Sequence, residues 1–284
     1  MARKSSGKAK TASGTKKKQT ARKPSAESFL RKVRILSMRN TLAANAEAVR
    51  VLSSAALLGG SERVRARGGY QKIKQWLHDT RAPNSLRDEG FRESQVAYFQ
   101  SHKDWYTNWA FAIACRYLKD FNEAERRYEE ALRLIKPNDP DADEFFAEYA
   151  EYLVYRGDPG GAVAWTGVKL GAGVHGSTAP GWFLWIRAWA HHQAGSHELS
   201  LQDLEWLENR NRLDPDALLV RAASLIGLGR RIEAQGVMSA FRASGDERDQ
   251  WSQALERTRG TFWPSAGAQE AEWIEHLRDA GLPA

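Results

Sequence analysis

Apolar residues along this chain recur at helical rather than strand spacing. Phe29, Leu30, Val33 and Leu36 fall three and four positions apart, and Val49, Leu52 and Ala56 continue the rhythm. That period puts one apolar stripe along a helix. Gly59-Gly60 ends the stretch, since paired glycines punctuate regular structure. Tyr70, Ile73, Trp76 and Leu77 predict a further helix, and Pro83, Asn84 and Gly90 predict a loop over 80–90. Beyond residue 90, helical segments of about 12–15 residues follow one another, separated by Gly, Asp and Pro. Alternating β-branched runs bounded by turns are absent, so the expected fold class is all-α. The last helices are predicted around Trp251 (247–259) and Trp273 (266–281).

Three sets of positions share one register. Ala112, Ala150, Ala188 and Ala222 are 38, 38 and 34 residues apart. Ala124, Ala162, Ser200 and Ala234 repeat that spacing, and so do Lys119, Gly157, Gly195 and Gly229. Small residues in the first two sets let antiparallel helices approach closely. The third set stands where the first helix must stop and the chain must turn. A period of this length marks stacked helical hairpins. The unit 105–138 carries the fullest pattern: Ala112, the turn Lys119-Asp120-Phe121, Ala124, Tyr128, Ala131 and Pro137.

On these residues the chain resembles the tetratricopeptide repeat (TPR) family. The resemblance spans about half of the chain, in four units. It departs from the family pattern at several positions. Asn108 stands where the family favours Trp, Lys119 replaces the turn glycine, and Pro137 comes one residue late. Thr166 and Lys169 occupy an aromatic and a small position of the second unit. The resemblance implies stacked antiparallel helical hairpins forming a TPR-like superhelix. The expected organisation is a disordered basic tail over 1–24, an N-terminal helical module or cap over 25–102, repeats over 103–245 and capping helices over 246–284.

Charge divides the chain the same way. Residues 1–24 hold nine basic side chains and no acid, and residues 25–80 hold ten basic and four acidic. Residues 81–284 hold 23 basic and 31 acidic, so the net +7 sums a strongly basic end and an acidic remainder. A uniformly basic nucleic-acid-binding domain is thereby excluded. The tail has too little apolar material to offset the entropy of ordering. Its run KKKQTARK (Lys16, Lys17, Lys18, Arg22, Lys23) is an electrostatic segment suited to phosphate backbones or acidic proteins. The stretch KQTARK also resembles part of a core histone tail. Aromatic residues, which would stack bases, are absent from 1–28. The most apolar stretch, Thr41 to Leu58, is broken by Asn45, Glu47 and Arg50, so no membrane span is expected. A single cysteine, Cys115, allows no intramolecular disulfide and fits a reducing compartment, hence an expected cytoplasmic or nuclear location.

The first helix of each hairpin lines the concave face in the family the chain resembles, and that face commonly binds a peptide or a partner's helix. By register the face receives Tyr106, Trp109, Ile113 and Arg116 from the first unit and Glu144, Glu148 and Glu151 from the second. The third supplies Trp182, Trp185, Trp189 and His192, and the fourth Asp216, Leu219 and Val220. Two roles compete for the tryptophans, core packing and a ligand groove. Two compete for the glutamates, a solvated face and a groove for a basic partner. The lysine and asparagine clamp of chaperone-tail-binding relatives is absent, since Trp109, Ile113, Ala147 and Glu148 stand there. Gly171 to Gly176 spells a dinucleotide-like glycine pattern, but no strand precedes it, so it reads as a loop. His191, His192 and His197 show no zinc-protease spacing, and His191 falls at the packing position of Cys115, Leu153 and Leu225. The expectation is a non-catalytic scaffold without metal or cofactor that binds a protein or peptide of basic character. The second reading is a nucleic-acid-associated adaptor tethered through residues 1–80.

Overall fold

The computed structural model describes residues 25–37, 41–57, 59–79, 81–136, 138–170, 181–209, 215–243, 260 and 262–282. The expected disordered tail with Lys16, Lys17, Lys18, Arg22 and Lys23, the glycine run 171–176 and the helix around Trp251 lie outside the described residues. Within them the chain is all-α, without a strand. Its helices are α1 (Ala26–Ser37), α2 (Leu42–Leu57), α3 (Glu62–His78), α4 (Asn84–Gln100), α5 (Trp105–Tyr117), α6 (Phe121–Leu134) and α7 (Ala142–Arg156). They continue with α8 (Pro159–Leu170), α9 (Gly181–Gln193), α10 (His197–Glu208), α11 (Pro215–Gly227) and α12 (Arg231–Ala243), and end with α13 (Gly267–Asp279) after a short 3-10 turn at Pro264–Ala266.

Successive helices pair as antiparallel hairpins that pack on one another, the α5–α6 and α7–α8 hairpins through rings such as Trp105 on Phe145 and Tyr128 on Tyr152. The register explains the hairpins in atomic terms. Lys119, Gly157, Gly195 and Gly229 all adopt positive φ, from 64° to 86°. Each closes the same C-terminal cap. The Gly157 N–H donates to the Val154 carbonyl (3.0 Å) and the Asp158 N–H to the Leu153 carbonyl (2.9 Å), and the other three turns repeat this pair. The double bond satisfies carbonyls that a helix end leaves open. At two of these turns Asp120 and Asp158 then accept from the N–H groups of Glu123 (3.2 Å) and Gly161 (2.8 Å) and so start the next helix. All eight small residues of the other two sets, from Ala112 to Ala234, are fully buried at 0% exposure. They sit where two helices meet, and a larger side chain would push the hairpin open.

The basic N-terminal part belongs to this stack. Helices α3 and α4 both pack against α5, and Ala66, Tyr70, Ile73 and Ala97 share its core. Helices α1 and α2 close around a second cluster with Leu30, Val33, Leu52 and Val64. Helix α4 begins at Asn84, directly after Pro83, so Gly90 lies inside a helix and not in the loop its composition predicts. The cause is tertiary. A Cβ at Gly90 would stand 2.7 Å from the Gly69 carbonyl oxygen, and one at Gly69 2.5 Å from that of Gly90. The two backbones touch, and only glycine permits the approach.

The C-terminal segment does not simply stack beyond the fourth hairpin. It runs along the edge of the array that carries the hairpin turns. Gly260 lies beside Lys119, Ala266 packs on Gly157, and His276 meets His197. Asp279 pairs with Arg231 at 2.7 Å, so one segment reaches all four turns in order. Trp263 anchors it, its backbone N–H donating to the Tyr155 carbonyl (2.9 Å) while its ring meets Phe121 and Tyr152.

Candidate binding surface

Helices α3, α5, α7, α9 and α11 are the first helices of their hairpins. Three of them converge more tightly than an open groove allows. Arg67 of α3 donates to Glu144 of α7 (2.7 Å), and the Tyr70 hydroxyl donates to Glu148 (2.8 Å). Lys74, one turn further along α3, attracts Glu151. The stripe Arg67, Tyr70, Lys74 thus matches Glu144, Glu148, Glu151 member for member, both at three- and four-residue spacing. Between the stripes lies Trp109 of α5, whose ring meets Tyr70 at 5.5 Å and Phe145 at 6.3 Å. Arg67 also spans the Trp109 face at 5.7 Å and donates to Ser37 Oγ of α1 (2.9 Å). Burial alone would lower the Arg67 pKa, but the Glu144 carboxylate holds it well above the usual guanidinium range.

A second layer of ion pairs ties the same helices at their N-terminal ends. Arg63 grips Asp104 with two donors (2.7 and 2.9 Å) and reaches Asp139 (3.2 Å), which also accepts from Trp105 Nε1 (3.0 Å). Arg34 of α1 donates to Asp141 at 2.6 Å. Further along, Arg116 of α5 lies over the rings of Tyr117 (4.7 Å) and Tyr155 (4.3 Å), with Glu151 at 3.7 Å. Glu151 is strained electrostatically. Burial and the neighbouring Glu148 carboxylate push its pKa up to about 7, against the pull of Arg116 and Lys74.

The residues expected to line a groove therefore divide. Tyr106, Trp109, Ile113 and Arg116 are buried to within about one per cent and form core, not lining, because α3 crosses their face. Glu144 is buried too, and its basic partner is this chain's own Arg67. Trp189 is buried because Tyr155 (5.0 Å), Phe262 (6.0 Å) and Trp273 (5.9 Å) enclose its ring. Glu148, Glu151, Trp182 and Trp185 stay half-buried, on the adjacent helices α7 and α9. They are the part of the expected surface that stays partly exposed.

The arginines and tyrosine of α1 and α3 complete the site and were not expected to. Their signal was visible as spacing: Arg63, Arg67, Tyr70 and Lys74 make one helical stripe. It also bears on nucleic-acid contact through 25–80. Lys32, Arg34, Arg50, Arg63, Arg65, Arg67 and Lys72 all sit within 4 Å of a carboxylate of the fold.

Other chemistry-bearing side chains lie away from this surface. Burial pushes the Cys115 thiol up to about 12, far from a reactive thiolate. Of the adjacent pair, His192 and not His191 is the buried one. His191 is half-buried, whereas α13 covers the face that His192 shares with Trp189. Among the described residues, no group of three or more His, Cys, Asp or Glu side chains is arranged to hold a metal ion. No described helix is long and apolar enough to cross a membrane. No protein-family model matches the chain, and no curated protein does.

Proposed function

We propose that this chain is a non-catalytic, TPR-like scaffold that binds a protein or peptide on the α7–α9 face. The observation that carries the reading is that Glu148 and Glu151 of α7 and Trp182 and Trp185 of the neighbouring α9 stay partly exposed, while Tyr106, Trp109, Ile113, Arg116, Glu144 and Trp189 are buried. Tryptophan offers large contact area at low entropy cost, and carboxylates beside it favour lysine or arginine in the partner. Rigid support comes from the buried residues beneath. The lone buried Cys115 fits a cytoplasmic setting. The test is recovery of partners from lysate by the full chain and by Trp182→Ala/Trp185→Ala, with circular dichroism to confirm the fold. Loss of specific partners supports the reading, and an identical set from both proteins overturns it.

The nucleic-acid reading is carried by the nine basic residues and no acid of 1–24. Binding through that segment is electrostatic, so affinity for duplex or single strand should fall steeply with salt. Unchanged affinity after deleting 1–24 would refute it.

A further inference from the structure

The C-terminal segment is fastened at its middle by three imidazoles. His192 comes from α9, His197 from the first turn of α10 and His276 from α13. Their ring centres are 5.0, 5.3 and 6.0 Å apart, and Trp273 stands edge-on to His192 at 5.3 Å. His192 Nδ1 shares a hydrogen bond with Ser224 Oγ (3.2 Å), which in turn bonds Ser200 Oγ (2.9 Å). Gly227 leaves room for the His197 ring, whose carbons would lie 2.5 Å from any Cβ there. The Nδ1 atoms of His197 and His276 are buried without a hydrogen-bond partner.

Such packing suits a neutral His192. A charge on His192, walled by Trp273 and Ser224 and within 6 Å of two other imidazoles, would have little solvent to screen it. The surrounding charges do not cancel this. Glu198 of α10 and Glu272 of α13 favour a charged His197, and Glu272 lies 4.0 Å from His276 Nε2. Glu275 and Asp279 of α13 line the adjoining cleft with Arg231 of α12, but Asp279 is engaged by Arg231. The charges acting on His192 itself are the two other histidines.

We infer that this cluster is a proton-operated latch: neutral, it holds 262–282 along the turn edge of the stack, and protonation releases that segment and uncovers Trp189 and Tyr155. Burial, then His197 and His276, hold His192 down at about 3, and burial with His276 lowers His197. A ring that is neutral when latched and ordinary when released weakens the latch by up to about tenfold per pH unit below about 6.5. His192 alone therefore supplies about a hundredfold over two units, and His197 adds to it.

Amide hydrogen exchange of the full chain tests this, with rates corrected for their intrinsic pH dependence. Between about pH 6.5 and about pH 4.5, protection across 262–282 should fall at least about a hundredfold while α3 to α5 keep theirs. His197→Gln removes one titrating ring and one repelling neighbour, so its fall should be several times smaller. His192→Gln should show the smallest fall. If it does not fold, the imidazole resonances of the unaltered chain carry the test, since His192 must stay neutral until 262–282 loses protection. The inference is overturned if 262–282 stays protected at the lower pH, if it opens only with the whole stack, or if His197→Gln behaves like the unaltered chain.

Discussion

Replacing Glu151 by Gln should make the protein less sensitive to rising pH. The side chain is only 17% exposed, lies 3.7 Å from Arg116 and shares its surroundings with Glu148. Its carboxyl is raised from 4.5 to about 7 in the fold. A raised carboxyl contributes stability that is complete below its unfolded value and is lost as pH rises through its folded value. The loss thus falls between about pH 4.5 and about pH 7. A shift of this size corresponds to about 3 kcal/mol. Part of the shift is repulsion between two coupled carboxylates, so the expected change is about 1–3 kcal/mol. Gln keeps the shape and the hydrogen bonds and removes only the titration. The assay is urea unfolding of both proteins at about pH 4 and about pH 8, read as the difference between them. His192 and His197 act in the opposite sense, losing stability as pH falls below about 6.5, but they are common to both proteins and cancel. The variant should equal the parent at the low pH and exceed it at the high one. Parallel curves, or a variant that loses ground at the high pH, would refute the argument.

Three substitutions probe the frame that carries this site. Gly69→Ala forces a Cβ to within 2.5 Å of the Gly90 carbonyl oxygen, so thermal unfolding should show a loss of about 2 kcal/mol or more. Lys119→Gly relieves the one non-glycine φ of 64° among the hairpin turns and should raise stability by about 0.5–1 kcal/mol in urea titration. Arg67→Ala leaves Glu144 buried without its partner and should cost about 3–5 kcal/mol, with Arg67→Ala/Glu144→Ala recovering part of that loss in the same titration.

Much of the hairpin architecture was legible because it is local. A residue such as Gly195 declares its own backbone conformation, and Ala188 with Ser200 declares how closely two adjacent helices meet. These demands recur with the period, so three sets of four positions place the turns and the packed helix pairs. The face left to a partner was less legible, because it depends on how sharply successive hairpins turn. Register assigns Trp109 and Glu144 to one surface. It says nothing about whether α3 stands clear of α7 or leans across α5 to meet it. Arg67 carried its own clue, in phase with Tyr70 and Lys74, but spacing alone names no partner 77 residues away. The C-terminal helix shows the same limit. Trp273 marks a helix with something to bury, whereas the surface it covers is Trp189 and His192, set by a path that crosses four turns.

These closures change what the charge pattern means. An acidic stripe on a repeat helix reads as bait for a basic partner, and a basic stretch elsewhere reads as a nucleic-acid tether. Here the two stripes answer each other inside one chain, which engages one oxygen of Glu144 and accounts for Glu148 and Glu151 in part. What Lys74 and Arg116 leave uncompensated is shown by Glu151 itself, still raised towards neutrality with two cations nearby. A lysine or arginine arriving beside Trp182 and Trp185 would meet that residual charge, lower the Glu151 pKa and displace a proton near pH 7. Association of a basic partner at this strip should therefore release protons, and the same partner should bind more tightly as the solution is made mildly alkaline.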